Sequence, residues 1–198
     1  HLAAIKNIEI SEFNPIETID TNVNGTVNMI RMLIKKNPSK FINISTDKAA
    51  EPSTLYGNTK LLGEKVTSWA GDHIKKTKCG TIRFGNVRES RGNVFEIWNE
   101  EKNNKKPLSI TNPLMKRYFI NANDVVDFIL NSLTIIKMGE ILIPKMKSFS
   151  IKTLANEISK SQKIIGLRQG EKLEEKLLTD DEKDRAIEKK DMWIIKPY

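Results

Sequence analysis

The sequence has 198 residues, a formal net charge of +8 and a single cysteine, Cys79. That length allows one large or two small domains, and no stretch approaches the ~18 consecutive apolar residues that a membrane-spanning helix needs. One cysteine cannot form an internal disulfide, which favours a reducing compartment, and the positive charge predicts an anionic partner, whether nucleic acid, anionic lipid or a phosphorylated metabolite.

The first half of the chain alternates between helical and strand patterns. Asn14 and Pro15 are predicted to be the cap and the first residue of a helix whose apolar residues recur every three or four positions until Lys36. Further along are a predicted strand at 41–44, a polar loop at 45–53, a helix from 55 to about 74 and a strand at 81–84. This alternation predicts an α/β fold with a parallel sheet covered by helices.

The pattern is less regular after Gly85. The predicted elements are a helix at 93–102, a polar stretch punctuated by prolines at 103–113, a helix capped by Asn123 or Asp124, a strand at 140–143, a helix from a Ser150 cap to Ile158, and a strand at 192–195. The charged segment 171–190 shows no clear helical or strand pattern.

Tyr56 and Lys60 form the strongest local chemical signal. They are four residues apart in a predicted helix, so they share one face. A lysine ammonium beside a tyrosine favours the phenolate and lowers the tyrosine pKa. Such a tyrosine can exchange a proton with a substrate hydroxyl during hydride transfer to a nicotinamide. The pair alone is weak evidence, because this spacing also arises by chance at helix surfaces.

The segment Ser45-Thr46-Asp47-Lys48 directly follows the predicted strand at 41–44. Ligands of open parallel sheets bind beyond the carboxyl ends of the strands. A hydroxyl, a carboxylate and an amine are therefore predicted to converge near a substrate, although most Asp-Lys pairs lie in solvated turns.

An ordered series of motifs resembles the inverting UDP-N-acetylglucosamine 4,6-dehydratases, a family of extended short-chain dehydrogenase/reductases. The series covers nearly the whole chain and is far more specific than any single motif. In chain order it comprises His1-Leu2-Ala3-Ala4, Thr21-Asn22 with Gly25, Ser45-Thr46-Asp47-Lys48-Ala49 with Pro52, Leu55-Tyr56-Gly57 with Thr59-Lys60, Arg83-Phe84-Gly85-Asn86-Val87, Ser90-Arg91-Gly92, Leu108-Ser109-Ile110-Thr111, Met115-Lys116-Arg117-Tyr118, Gly139-Glu140-Ile141 and Arg168-Gln169-Gly170-Glu171-Lys172-Leu173.

The resemblance implies a Rossmann-like, doubly wound parallel sheet with a small C-terminal substrate-binding domain. Residues 1–86 would be the C-terminal half of an NAD(P)-binding Rossmann domain with the catalytic residues. Residues 87–198 would mainly bind the nucleotide sugar, with about 115–143 returning to the Rossmann core. The enzyme would be a cytoplasmic homo-oligomer that binds a UDP-sugar, neither nucleic acid nor a membrane, and serves the synthesis of surface glycans or of nonulosonic acids such as pseudaminic acid.

The resemblance also implies catalytic roles. Tyr56 would accept the proton of the sugar C4 hydroxyl, Lys60 would tune Tyr56 and hold the nicotinamide ribose, and Thr46 would hydrogen-bond the C4 oxygen. Once C4 is a ketone the C5 hydrogen is acidic, so Lys48 would remove it and Asp47 would protonate the departing C6 hydroxyl. Lys48 must then be neutral and Asp47 protonated, which requires shifted pKa values.

Binding roles follow from the same resemblance. The cofactor would be NADP, with NAD as the alternative, and no metal is implied. His1 and Ala3 would join Tyr56 and Lys60 in contacting the cofactor. The residues implied to hold the UDP group are Asn86, Arg117, Arg168 and Glu171; arginine forks suit a diphosphate.

The chain departs from the family pattern at Arg88 and Glu89, where a small residue usually precedes Ser-Arg-Gly, at Asn112 in place of Asp, and at Gln169 in place of Pro. These positions bear on the sugar that is bound. No Gly-x-Gly occurs, so the dinucleotide fingerprint is absent. Together with the start at His1, this predicts that an N-terminal portion is missing and that residues 1–198 alone are inactive.

Three alternatives remain. A nucleotide-sugar 4-epimerase would share Tyr56 and Lys60 but needs no acid and base for water loss, so Asp47 and Lys48 favour the dehydratase. Retaining, membrane-attached dehydratases have Met at the position of Tyr56, so this tyrosine disfavours them. A non-catalytic basic binding module fits the net charge, but no nucleic-acid motif accompanies it.

Overall fold

The computed structural model describes residues 1–197 and divides into two compact units. The first unit comprises His1–Phe84, Asp127–Lys145 and the chain from Lys176 onward, and the second comprises Gly85–Val126 and Met146–Glu175. The sequence placed the boundary at residue 86 and the returning segment at about 115–143. In the structure the return starts at Asp127, because the preceding strand pairs inside the second unit.

The helices are α1 Ile8–Phe13, α2 Pro15–Ile19, α3 Gly25–Lys36, α4 Leu55–His73, α5 Val94–Asn103, α6 Ala122–Ile135, α7 Ile151–Ile158 and α8 Asp180–Lys183. The strands are β1 Lys40–Thr46, β2 Lys78–Phe84, β3 Asn86–Val87, β4 Leu108–Ile110, β5 Lys116–Ile120, β6 Glu140–Pro144, β7 Lys147–Ser150, β8 Gln162–Ile164, β9 Ala186–Glu188 and β10 Met192–Ile195. A π-helical turn, Asp20–Asn24, joins α2 to α3, and a 3₁₀ turn, Asp47–Ala49, follows β1. Within residues 1–197, no helix combines the length and apolar character that crossing a membrane requires.

The first unit is built on a five-stranded sheet in the order β1-β2-β6-β10-β9. Strands β1, β2 and β6 are parallel, and β10 pairs antiparallel with both β6 and β9. The predicted parallel sheet is therefore confirmed. The last strand, which the sequence grouped mainly with the substrate domain, instead extends this sheet because β10 pairs with β6.

Helices cover both faces of this sheet because successive side chains of a strand point to opposite faces, and these strands carry apolar side chains on both faces. Phe41 and Cys79 pack with α3 and α4 on one face. Ile42 and Ile82, on the opposite face, pack with α6. A sheet wound on both faces leaves its strand ends as the edge where a site can form.

The N-terminal helix differs from the predicted single helix. Residues 15–36 form α2, the π-helical turn and α3 in succession, and a separate helix, α1, ends before Asn14. Pro15 does occupy the first turn of α2, but Asn14 makes no capping bond there; its side chain donates to the carbonyl of Ile10 instead. The predicted end is confirmed, since Asn37 closes α3 in the left-handed conformation with φ 49°.

The second unit contains the sheet β3-β5-β7 and the pair β4-β8 around a core that includes the fully buried Trp98. The sequence missed all of these strands, because two to five residues are too few to show an alternating pattern. Helix α6 begins at Ala122, so Asn123 and Asp124 lie inside its first turn and neither is the predicted cap. The predicted Ser150 cap of α7 is confirmed.

Candidate active site

The turn after β1 gathers three of the predicted catalytic residues. Thr46 ends the strand in an extended conformation and caps the 3₁₀ turn Asp47–Ala49, accepting from the Lys48 N–H at 3.4 Å. This short turn is why consecutive side chains can face one another. Local sequence therefore sets this part of the site.

Asp47 is fully buried and uses its two oxygens differently. Its Oδ1 accepts hydrogen bonds from Thr46 Oγ1 at 2.9 Å and from Lys48 Nζ at 3.0 Å. Its Oδ2 is buried without a hydrogen bond to any described residue. A buried acceptor with no partner is costly, which marks Oδ2 as the oxygen left for a ligand.

Tyr56 lies in the first turn of α4. Thr54 caps this helix, and its hydroxyl oxygen accepts a hydrogen bond from the Gly57 N–H at 3.1 Å. Burial raises the pKa of the Tyr56 phenol, the Lys48 ammonium and a hydrogen bond with Thr46 oppose that rise, and the Asp47 carboxylate adds to it. The sequence assigned the tuning of Tyr56 to Lys60. In the structure the Lys48 ammonium favours the phenolate, and the tuning role of Lys60 stays a prediction.

Gly57 allows α4 to meet the turn that carries Lys48. A Cβ at this position would lie 2.4 Å from the backbone oxygen of Lys48 and 3.0 Å from Cβ of Pro52. Real Cβ atoms do not approach a carbonyl oxygen so closely, so only glycine lets α4 pack directly on the turn that carries Lys48.

Gly57→Ala is expected to destabilise the protein by about 1–3 kcal/mol, because two packed backbone segments must separate. The measurement is the Tm of the purified protein, which should fall by roughly 2–12 °C. Gly25→Ala is the matched control: its added Cβ lies 3.7 Å from the nearest atom, the Asp20 oxygen, so its Tm should stay or rise. Equal Tm values for Gly57→Ala and the parent would contradict this account of the packing.

Lys60 is buried on the inner face of α4, with 7% of its surface exposed. Burial lowers the pKa of its ammonium to about 8, and the Glu64 charge opposes that effect. Its ammonium makes no hydrogen bond to another residue among 1–197 in the structure. Three unused donors fit the hydroxyl groups of a cofactor ribose, so the donor chemistry agrees with the implied nicotinamide cofactor.

His1 and Ala3 lie in the segment along the outer edge of β1. The backbone of His1 pairs with this strand, donating to the Ile42 carbonyl at 2.8 Å and accepting from the Ile44 N–H at 3.2 Å. Ala3 is exposed. The segment therefore sits at the sheet edge in the same unit as Lys60.

Asn22 received no role from the sequence, although it belongs to the Thr21-Asn22 motif. Its side chain bonds both backbone groups of Ile5, at 2.8 and 3.0 Å, and donates to Thr59 Oγ1 at 3.0 Å. It is buried in the π-helical turn. Asn22 thus ties the N-terminal segment to the helix that carries Tyr56 and Lys60, and a polar residue buried within a helical apolar pattern was the available signal.

The residues predicted to bind UDP all lie in the second unit. Asn86 donates to the Tyr118 carbonyl at 3.0 Å. Glu171 accepts from the backbone N–H of Arg168 at 3.0 Å, closing a tight turn. The residues predicted to act in catalysis and those predicted to bind UDP thus belong to separate units.

Arg117 is nearly buried, and its guanidinium donates to three backbone carbonyls, those of Lys116 at 2.8 Å, Lys172 at 2.8 Å and Leu173 at 3.2 Å. Arg117 therefore anchors the chain just after the Arg168–Glu171 turn. Among residues 1–197, no three His, Cys, Asp or Glu side chains are grouped to hold a metal ion.

A sequence model of a family described as polysaccharide biosynthesis protein matches residues 1–197. Over 202 residues the chain is 39% identical to the inverting UDP-N-acetylglucosamine 4,6-dehydratase of Campylobacter jejuni, covering 100% of this chain and 60% of that protein. It is 38% identical over 213 residues to an uncharacterized membrane protein of Methanocaldococcus jannaschii, covering 100% of this chain and 64% of that one. The structure of Pen from Bacillus thuringiensis matches with a TM-score of 0.93 and 32% identity, over 99% of this chain and 64% of that chain.

The chain thus spans 60–64% of the length of these relatives. Other similar proteins are named UDP-glucose 4-epimerases. Solved structures of nucleotide-sugar dehydratases and epimerases share the fold, which confirms the predicted Rossmann-like architecture.

Proposed function

Because the chain belongs to the polysaccharide biosynthesis protein family, we propose that the protein carrying it is a UDP-N-acetylglucosamine 4,6-dehydratase that inverts C5. Its product would be a UDP-4-keto-6-deoxy-sugar for surface glycan or nonulosonic acid synthesis. The observation that carries the proposal is the ion pair between the buried Asp47 and Lys48, whose Oδ1 and Nζ atoms lie 3.0 Å apart, beside the phenol of Tyr56. The 39% identity to a protein of that name supports it.

The Asp47–Lys48 pair holds the one proton that dehydration needs. As an ion pair it has a protonated amine and an ionised carboxylate, joined through Oδ1. Moving that proton from Nζ to the carboxylate produces a neutral amine base and a carboxylic acid together.

Each side chain then has a defined task. Tyr56 accepts the proton of the C4 hydroxyl, whose oxygen Thr46 positions. Lys48 removes the C5 proton, and Asp47 gives its proton to the leaving C6 oxygen. The open Oδ2 of Asp47 supports the last assignment, because it is the carboxyl oxygen not already bonded to Thr46 and Lys48.

A bound nicotinamide cofactor, proposed to be NADP with NAD as the alternative, would supply the oxidation at C4 and the matching reduction at C6. Lys60 would donate to its ribose, and the segment of His1 and Ala3 would line it. The structure of a dTDP-glucose 4,6-dehydratase with similar fold contains NAD, whereas the choice between NAD and NADP rests on the family resemblance.

The second unit is proposed to bind the UDP group. Arg168 is exposed and would contact the diphosphate, and Glu171 and Asn86 would contact the nucleotide. The guanidinium of Arg117 already donates to three backbone carbonyls. We therefore propose that Arg117 also stabilises the chain just after the Arg168–Glu171 turn. We further propose a cytoplasmic homo-oligomer.

A UDP-sugar 4-epimerase is the second candidate, favoured by the names of several relatives. Epimerisation uses Tyr56 and the cofactor but has no use for an acid and a base at C5 and C6. The buried Asp47–Lys48 pair therefore favours dehydration over epimerisation.

Proton NMR of the first product, formed from UDP-N-acetylglucosamine in deuterium oxide by the intact gene product, tests the proposal. We expect a 6-deoxy-4-keto sugar with the L-arabino configuration, read from its ring couplings, and solvent deuterium at C5. A D-xylo product formed first would contradict inversion. A C4 epimer that keeps its C6 hydroxyl would identify an epimerase.

A further inference from the structure

Arg83 of β2 is fully buried between two carboxylates. Its Nε and Nη2 donate to Glu64 at 2.9 and 2.6 Å, and its Nη1 and Nη2 donate to Glu182 at 2.7 and 2.8 Å. It also donates to the Leu177 carbonyl at 3.0 Å. We call Glu64, Arg83 and Glu182 the Arg83 cluster. It joins α4, β2 and α8 within one unit.

The Arg83 cluster sets two carboxylates against one guanidinium. Burial alone would lower the pKa of Arg83, but the hydrogen bonds and charges of Glu64 and Glu182 raise it, so the guanidinium stays charged. Arg83 in turn lowers the pKa of Glu182 against the effect of burial. The Arg185 charge also acts on Glu182 and lowers its pKa, and in a dry interior carboxylates that share one guanidinium favour further cations nearby.

Lys60 is a buried cation on the same helix as Glu64. It precedes Glu64 by four residues on α4, so the two side chains lie on the same face, one turn apart. Both are buried, with 7% and 1% of their surfaces exposed.

We propose that Glu64 is a positioning residue for Lys60: held by Arg83, its carboxylate keeps the buried Lys60 ammonium charged and on the inner face of α4. The inference rests on the proposed function only for its activity readout. No step of the dehydration itself uses Glu64 or Arg83.

Other charged groups around Lys60 do not replace this carboxylate. The turn packed on α4 supplies Asp47 and Lys48, which pair with each other. Glu12 of α1 accepts from a backbone N–H at the start of α4. The Arg83 cluster is therefore the source of attraction for Lys60.

Loss of the Glu64 charge should lower the pKa of Lys60 further. Burial has lowered the pKa of Lys60 to about 8, and the Glu64 charge acts in the opposite direction. Removing that charge lets Lys60 lose its proton at lower pH. Activity that requires the ammonium is then lost at lower pH.

Glu64→Gln in the intact gene product tests this inference. We expect the alkaline limb of the kcat/KM profile to move down by about one pH unit, the scale of a lost neighbouring charge. An independent readout is ¹³C NMR titration of lysine side chains, with Lys60 assigned through Lys60→Arg; its midpoint should fall equally. Asp72→Asn, which removes an exposed carboxylate from the same helix, should move neither.

Glu182→Gln is the second variant, because glutamine also completes the capping box of α8. It removes the same charge at longer range and should lower the Lys60 midpoint by a few tenths of a unit. If neither glutamine variant lowers the midpoint, Glu64 is only structural and the inference is overturned. If the midpoint falls while UDP-N-acetylglucosamine is not dehydrated even by the parent protein, the inference stands and the proposed function fails.

Discussion

Tyr56→Phe should lower kcat for dehydration by about 10²- to 10⁴-fold, the usual effect of removing an acid–base group. Phenylalanine keeps the ring that packs in the first turn of α4 but cannot accept the C4 proton. Tyr118→Phe makes the same chemical change in the second unit and should leave kcat within about twofold. Product formation from UDP-N-acetylglucosamine is the measurement.

The pH dependence gives the same prediction a second test. Burial raises the pKa of Tyr56, so the phenol is protonated at neutral pH and must ionise before it can accept a proton. The parent activity should therefore rise with pH until Lys60 begins to lose its proton near its pKa of about 8. Parental activity in Tyr56→Phe would show that another group takes the C4 proton.

Lys48→Ala is expected to lower kcat by a similar factor, about 10²- to 10⁴-fold, for two reasons. The amine that removes the C5 proton is lost. The charge that opposes the raised pKa of Tyr56 is lost as well. A stability cost is also expected, because the fully buried Asp47 loses its paired cation.

Chemical rescue separates Lys48 from Tyr56. Small primary amines in solution should restore part of the activity of Lys48→Ala, since they can occupy the space of the missing amine, and should do nothing for Tyr56→Phe. Lys65→Ala, a substitution at an exposed position of α4, is the control. Solvent deuterium that still enters C5 at the parental rate in Lys48→Ala without added amine would assign the base to another residue.

Local sequence was sufficient for the parts of the site that lie close together in the chain. The spacing of Tyr56 and Lys60 gives one helix face, because an α-helix repeats every 3.6 residues. The strand that ends at Thr46 delivers the Asp47–Lys48 turn to the carboxyl end of a parallel sheet, where such folds bind ligands. Strand and helix patterns were equally readable in most of the first unit, where the buried faces are long, but not in the charged segment that forms α8 and β9.

The same patterns were too short in the second unit. Strands β4 and β8 have three residues each, and β5 mixes lysine and arginine with aromatic residues. Neither periodicity nor composition distinguishes such strands from loops. The start of α6 was misplaced for a related reason: Asn121, Asn123 and Asp124 are all suitable caps by residue type, and only the backbone geometry selects among them.

The sequence by itself determined the α/β class, the parallel sheet and the residues placed at its edge, because these depend on periodicity and on neighbours within one or two turns. Tertiary structure alone decided which charges meet. Arg83 binds Glu64, 19 residues away, and Glu182, 99 residues away, and the Lys48 ammonium acts on the Tyr56 phenol. Charge effects depend on distance and burial, and both are properties of packing between distant segments that no local pattern records.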